Sequence, residues 1–355
     1  MIMKSYFYVF VLLITSSFSL YAQNQMEELM KEGIAYHDEG KYDKAIEAYK
    51  KMLDLDPRST TGHYEIAMSY MYNGNYDLAI KHSQIAIDQG GRLLVPAVVV
   101  KASSLSNLNR VDEAIALLED AVENLNADVM VYYNLAIAYW KQNKIDQAEM
   151  ALIEGIHDNP MHASSHYMLA IIQADKGKRT EAMLSGYFFL LLETHTTRTV
   201  KMEQLVKNLY TTGVTETEGS TKKKKSVNMT LDRERMASPF ATVEMGLSLM
   251  AAHAFSEKNT KKGDAFYSNT TRFMGLVSEV KRPEEQVEDD IAMNFYVPFF
   301  GELYERNYTD VFCNYISQMK PGGNRRWIDK NIDKVRIFEQ WVVDKSRALI
   351  GIELD

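Results

Sequence analysis

MEELMKEGIAYHDEGKYDKAIEAYKKMLDLDP, residues 26–57, is the stretch that decides the fold. Gly33, Tyr36, Ala45, Tyr49 and Pro57 stand in it at spacings that recur, with substitutions, in units opening at Thr60, Val95, Val129 and Ala163. The steps are 34, 35, 34 and 34 residues. So regular a period is the signature of stacked supersecondary units, each of which buries its apolar face only against its neighbours.

The residues that recur are those a pair of packed helices needs. Each unit reads as helix A, a short turn, helix B and a short link, with the first helix A at roughly Glu27–Glu39. Gly33 and its counterparts Ala67, Ala102, Ala136 and Ala170 are small, as close helix crossing requires. Ala45, Ala79, Ala114, Ala148 and Ala182 play the same part on helix B. The turns carry Gly40, Gly74, Asn109, Asn143 and Gly177, residues that tolerate the left-handed conformation that ends a helix. Pro57 and Pro160 stop helix B of the first and fourth units.

Five units in this register resemble the tetratricopeptide repeat (TPR) family over residues 26–192. Gly91, Asn126 and Thr194 stand where the closing proline is expected. The resemblance implies an all-α, right-handed superhelix of five helix pairs with a groove lined by the A helices. In that family the second, fifth, ninth, twelfth and thirteenth positions of a unit tend to face the groove. Carried over, these are Tyr64, Met68, Met71 and Tyr72 in the second unit, and Met130, Tyr133, Ile137, Trp140 and Lys141 in the fourth. The fifth contributes Tyr167 and Ile171. The first unit (Glu27, His37, Asp38) and the third (Ser103, Ser106, Asn107) are polar.

The expected partner-binding residues are therefore Tyr64, Met68, Met71, Tyr72, Tyr133, Ile137, Trp140 and Tyr167. An aromatic and methionine stripe suits an apolar or aromatic-rich peptide or helix. Two readings compete with it: packing against the chain's own C-terminal part, and self-association. The carboxylate-gripping clamp of chaperone-binding relatives is not visible, because Met30 and Ile34 occupy two of its positions and only Lys141 is basic in the fourth unit.

The first 22 residues combine Lys4, an apolar Tyr6–Ile14 run and smaller residues up to Ala22, which reads as a secretory signal peptide; an uncleaved anchor is the alternative. The expected address is periplasmic or secreted, in a bacterial envelope, with no stable membrane insertion after cleavage. A formal net charge of −8 argues against nucleic acid as a partner. Cys313 is the single cysteine, so neither an intramolecular disulfide nor a multi-cysteine zinc site is available, and Cys313 reads as a small buried apolar residue.

Thr197–Tyr210 reads as one more amphipathic helix covering the end of the stack. The expected organisation is a signal peptide at 1–22, a capped solenoid at 23–210, a linker at 211–231 rich in Thr, Gly and Lys, and a C-terminal helical domain at 232–355. Within that domain helices are expected from Ser238 to about Glu257, from Gly263, from Pro283 with a kink at Pro298, over Asp310–Met319, and over Arg325–Leu349. No family resemblance attaches to this part.

Signals for chemistry are sparse. His162 and His166 lie four apart but lack the intervening Glu of a zinc protease. Glu288, Asp289 and Asp290 read as a solvated acidic face. No nucleophile elbow, phosphate loop or dinucleotide fingerprint is present. The expectation is a non-enzymatic interaction scaffold without cofactor or metal; the alternative is an enzyme or ligand-binding domain after residue 232, with the repeats as its docking arm.

Overall fold

The computed structural model describes residues 23–218, 225–230, 232–256, 265–281, 290–317 and 324–351. The expected signal peptide, most of the lysine run, Gly263-Asp264, the acidic stretch through Asp289 and Pro321-Gly322-Gly323 lie outside them. Among the described residues the fold is all-α apart from one two-stranded ribbon. Ten helices follow one another along the repeats, an A helix and then a B helix in each: α1 (23–38), α2 (Tyr42–Leu55), α3 (Thr60–Tyr72), α4 (Tyr76–Gln89), α5 (Leu94–Asn107), α6 (Val111–Asn124), α7 (Val129–Lys141), α8 (Ile145–Asp158), α9 (Ala163–Asp175) and α10 (Arg179–Leu192).

The recurring residues do what their sizes and conformations require. Ala67, Ala102, Ala136 and Ala170 are fully buried, as are Ala45, Ala79, Ala114, Ala148 and Ala182. At Gly33 an added Cβ would lie 2.6 Å from Cζ of Tyr49, so only glycine lets that ring cross α1. All five turn residues have positive φ: Gly40, Gly74, Asn109, Asn143 and Gly177. After each, the next amide donates to the carbonyl five residues back, as Lys41 to Tyr36 at 2.8 Å and Lys178 to Gln173 at 2.8 Å, closing the helix C-terminus. Ser59 and Asp128 cap α3 and α7 through their side chains.

The chain divides into two compact units, the first ending at Lys144 and the second starting at Ile145. In the first, A and B helices alternate in contact from α2 to α7, and α3 packs on α5 as α5 packs on α7. Its core around Tyr49 includes Ala45, Ile46, Ile66, Tyr70 and Ala79.

The second unit is organised around α10. Its TEAMLSGYFFLLL run is apolar on every side, and a helix of that kind must be covered all round. Residues Ala182 to Leu191 are all buried. One side meets α9; another meets α11 (Thr197–Thr211), where Gly186 admits Met202 and Val206. A helix thus stands where the sequence places one, opened by a Thr196 capping box, with Val200 pointing outward at 70% exposure. The remaining sides meet later helices. Phe188 packs edge-on against Phe295, Tyr296, Phe299 and Phe300, and Tyr187 bonds Tyr210 at 2.8 Å and Thr270 at 2.7 Å through its hydroxyl.

Three sequence expectations change here. Residues 211–231, read as linker with a short strand over Ser226–Leu231 as an alternative, contain strands β1 (Val214–Glu218) and β2 (Lys225–Met229), antiparallel with Val214 opposite Met229; β1 is the part not anticipated. After α12 (Arg233–Met236), α13 (Ala241–Ser256) and α14 (Ala265–Ser278), the expected kink at Pro298 appears as a π-helical turn, Ala292–Tyr296, before α15 (Val297–Glu305). Proline has no N–H to give the i−4 carbonyl, and the Val297 amide reaches back to Ala292 instead. The final expected helix is two, α17 (Arg325–Lys330) and α18 (Ile332–Leu349), following α16 (Thr309–Ile316). Asn331 breaks it: its side-chain amide bonds the Trp327 carbonyl at 2.8 Å and competes with the helical ladder. Cys313 is buried. Among the described residues no helix is long and apolar enough to cross a membrane.

Candidate partner-binding face

In the first unit α3 and α7 present the aromatic and methionine residues singled out by the repeat frame. Tyr72 is 55% exposed and Trp140 49%, with Met130 beside them in kind at 41%. Tyr64, Met68, Met71, Tyr133 and Ile137 are half-buried. None of these eight residues is closed off from solvent. They do not form one stripe. α5 lies between α3 and α7 and is polar there: Ser103 donates to Asn134 Oδ1 at 2.7 Å, and Lys141 Nζ donates to the Ser106 carbonyl at 2.9 Å. The face is two apolar patches separated by a serine and asparagine strip.

Tyr167, the eighth expected residue, belongs to the second unit. It is half-buried between the Phe189 ring, 5.0 Å between centroids, and the Arg198 guanidinium, 5.4 Å above its own ring. That ring is thus already in contact with two groups of its own unit.

The α1–α3 end of the first unit is built differently. His37, Tyr42 and Tyr72 form a three-ring cluster with centroids 5.2–5.6 Å apart, Tyr42 and Tyr72 stacked and His37 edge-on to both. His37 Nδ1 is 2.9 Å from Ser69 Oγ. Burial holds His37 below its ordinary pKa, so it is neutral at pH 7. Glu65, one residue after Tyr64, is half-buried, and burial together with the Asp38 charge raises its pKa. Tyr49, fully buried beneath, has a hydroxyl without a hydrogen-bond partner. Its pKa is pushed up by burial, then by the charges of Glu65 and Asp38. Sequence reasoning missed Glu65 and Tyr42 as members of this face and the unpartnered Tyr49 hydroxyl under it. The repeat frame lists only five A-helix positions per unit, and Tyr42 and Tyr49 are on a B helix. The one usable signal was a carboxylate set beside the core pair Ile66-Ala67.

His63, His82, His162 and His166 have structural partners. His166 bonds the Pro160 carbonyl through Nε2 at 2.8 Å and the Tyr296 hydroxyl through Nδ1 at 2.6 Å, so both ring nitrogens are occupied. His162 Nδ1 sits 2.8 Å from Ser165 Oγ. His63, in the same repeat position as His166, bonds the Pro57 carbonyl at 3.1 Å and His82 Nδ1 at 2.9 Å. Among the described residues no cluster of three His, Cys, Asp or Glu side chains is arranged to hold a metal.

Two clefts adjoin the C-terminal helices. One, about 350 Å³, is lined by Val277, Met293, Val297, Pro298 and Glu302. Burial opposes ionisation of Glu302, but hydrogen bonds from Lys345, Arg306 and Trp341 prevail and hold its pKa down at about 2. The other, about 310 Å³, contains Glu149, bonded to Lys178 at 2.7 Å and to Lys176 at 2.5 Å. Both carboxylates are engaged in ion pairs, unlike a general acid or base poised near neutral pH.

Family models described as TPR repeat or tetratricopeptide repeat match residues 33–74, 64–129 and 108–183. Solved structures match over part of the chain. TTC0263, a TPR protein of Thermus thermophilus, matches at 15% identity with TM-score 0.46, covering 51% of this chain and 99% of its own. PilF of Pseudomonas aeruginosa matches at 17% identity and TM-score 0.44, over 53% and 90%. MamA residues 41-end of Desulfovibrio magneticus RS-1 match at 16% identity and TM-score 0.38, over 52% and 96%. No curated protein matches.

Proposed function

We propose that residues 33–183, which are tetratricopeptide repeats, make this chain a non-enzymatic scaffold that holds an apolar or aromatic-rich peptide or helix of a partner protein on the α3–α7 face. The observation that carries the reading is the exposure of Tyr72 and Trp140 at 55% and 49%, each above half-buried neighbours of the same character. Large aromatics left in water on a rigid helical surface are what interface hot spots are made of. The two patches suit a segment long enough to reach both, with polar contacts to Ser103 and Asn134 between. The paired carboxylates of the two clefts support a non-enzymatic role for the C-terminal helices.

The leader-like segment at residues 1–22 supports export, which puts the partner in the cell envelope. N-terminal sequencing of the protein from a cell fractionation tests the address: an intact Met1 in the cytoplasmic fraction overturns it. Crosslinking and recovery from the envelope fraction, with wild type and a Tyr133→Ala, Trp140→Ala double variant, tests the face. Equal partner recovery by a folded double variant removes the face from the account. If the copurifying protein is a second copy of this chain, light scattering will report twice the monomer mass.

A further inference from the structure

A cleft of about 530 Å³ in the first unit is lined by α4, α5 and α6 and shares no residue with the α3–α7 face. The repeat frame gives the reason for its presence. The eleventh residue of a unit is tyrosine in the first, second and fourth: Tyr36, Tyr70 and Tyr139. In the second and fourth units that ring reaches the B helix of the unit before. Lys50 lies 5.9 Å above the Tyr70 ring, and the Tyr139 hydroxyl donates to Glu119. Lys50 and Glu119 hold one repeat position, and Gln84 is their counterpart in the second unit. In the third unit the eleventh residue is Leu105, which has no ring to offer Gln84, and both residues line the cleft. The fifth unit carries Gln173 instead of tyrosine, and it too borders a cleft, the one of about 310 Å³.

A second departure from the frame sits in the same cleft. The seventh residue of a unit is apolar and buried at Ile66, Leu135 and Leu169, but in the third unit it is Lys101. Lys101 is half-buried, and its Nζ donates to the Gln84 carboxamide. An ammonium bonded to a neutral amide gains less than one facing a carboxylate. Lys81, exposed at the rim, pairs with no carboxylate among the described residues. Arg110 is held by Glu113 through two bonds of 2.7 and 2.6 Å. Three cations therefore stand against one carboxylate, in a chain whose formal net charge is −8. The walls between them are apolar and half-buried, at Ile80, Ile85 and Leu117.

We propose that this cleft receives an aromatic side chain of a partner protein, flanked in the partner's sequence by aspartate or glutamate. The ring takes the space that tyrosine fills in the neighbouring units and lies against Ile80, Ile85 and Leu117. The flanking carboxylate pairs with Lys101 and Lys81, which the fold leaves without one. A lysine beside the ring adds cation–π attraction, as Lys50 does for Tyr70 and Lys144 for Tyr139. A free small molecule needs most of its surface enclosed, whereas this cleft has an exposed rim at Lys81, Arg110 and Glu113. A chain passing over that rim gains contacts outside the cleft as well. The protein then has two contact surfaces of different chemistry, and this one selects negative charge.

Selection of displayed random peptides on the full chain, discarding those that Leu105→Tyr also retains, tests this. The expected peptides carry Tyr, Phe or Trp next to Asp or Glu. Resynthesised, such a peptide will bind about tenfold more weakly to Leu105→Tyr, whose ring fills the cleft, and to Lys101→Leu, which restores the residue type of the frame. Both variants will melt at or above the wild-type temperature. Should Leu105→Tyr fold poorly, Lys101→Leu and the surface variant Lys81→Glu carry the same comparison. Replacing the peptide's acidic residue by its amide will cost about tenfold on wild type and less than about twofold on Lys101→Leu. An amide penalty unchanged on Lys101→Leu overturns the proposal, as does the absence of any peptide that tells wild type from the cleft variants. Free phenylacetate competing as strongly as the peptide overturns the assignment to a protein segment. Trp140→Ala will leave the affinity unaltered; if it abolishes binding while the cleft variants do not, the α3–α7 face stands and this proposal falls.

Discussion

His166 and Tyr296, 130 positions apart, share a 2.6 Å hydrogen bond in a site closed to solvent. The proline carbonyl on the other side of the ring can only accept, so Nε2 carries the proton and Nδ1 receives the tyrosine hydrogen. The fifth repeat and the C-terminal helices thus meet through a fixed tautomer. Tyr296→Phe will leave Nδ1 without a donor and cost about 1–3 kcal/mol, read as a lower denaturation midpoint of the second unit. An unchanged midpoint would show that the bond contributes nothing.

Acid will loosen both units. Burial, outweighing the bond to Pro160, lowers the His166 pKa to about 3; burial, then His63, Lys81 and Lys50, lower that of His82 to about 4. Unfolded, each titrates near ~6.5, so below that pH the unfolded chain binds protons that the folded chain refuses. Stability is therefore full above about pH 6.5 and falls as pH drops toward the folded values, by up to roughly 1.4 kcal/mol per pH unit for His166. The slope is smaller for His82, which solvent reaches. Urea midpoints measured from pH 7.5 to 4.5 check this; His166→Gln should shallow the slope, and an unaltered slope would refute its assignment.

Turn substitutions should separate by φ. Asn109 and Asn143 sit at φ 62° and 60°. Glycine at either will be neutral or stabilising by a few tenths of a kcal/mol, and valine will cost about 1–2 kcal/mol, because a β-branched side chain resists the left-handed region. At Gly33 the order reverses: Gly33→Ala drives a methyl into the Tyr49 ring and will cost about 1–3 kcal/mol or more. Thermal unfolding of these variants gives the ranking.

Glu244 closes an ionic network on α10. It accepts from the Thr180 amide at 3.2 Å and hydroxyl at 2.6 Å at the helix N-terminus, and lies 3.8 Å from Arg179. Arg179 in turn caps the end of α11 through the Leu209 and Tyr210 carbonyls, at 2.6 and 2.9 Å. Glu244→Ala leaves Arg179 buried with its charge uncompensated and will cost about 3–5 kcal/mol. Loss of only a few tenths would mean that water or another group compensates.

Trp140→Ala should leave the melting temperature within about a degree, since the side chain is half exposed and stability effects at such sites stay near ±0.5 kcal/mol. Its effect belongs in partner binding. A large drop in melting temperature would reassign the ring to the core.

The repeat frame was legible because each of its residues answers a local demand that recurs. Ala67 and Ala79 permit a crossing, Gly74 and Asn143 turn the chain, and five copies remove chance. The second unit was not legible at the same level. The demand on Phe188 comes from Phe295 and Phe299, more than a hundred residues away, and no period announces it. The apolar run ending at Leu192 was visible, but not what would cover it. The face was half legible. Repeat positions indicated Tyr72 and Trp140, whereas the polar strip on α5 and the Tyr49 hydroxyl emerge only when helices of different repeats are set side by side.

The burial of α10 bears on how such a chain changes length over evolutionary time. Tandem arrays grow and shrink by duplication because a terminal copy normally offers a free side to a newcomer. Here the helix at that position is enclosed by α9, α11 and the later helices, so a sixth copy inserted after it would find no docking surface and would displace a folded core. Among homologues, copy-number variation should therefore lie upstream of Ala163, with the final pair and everything after it inherited as one block.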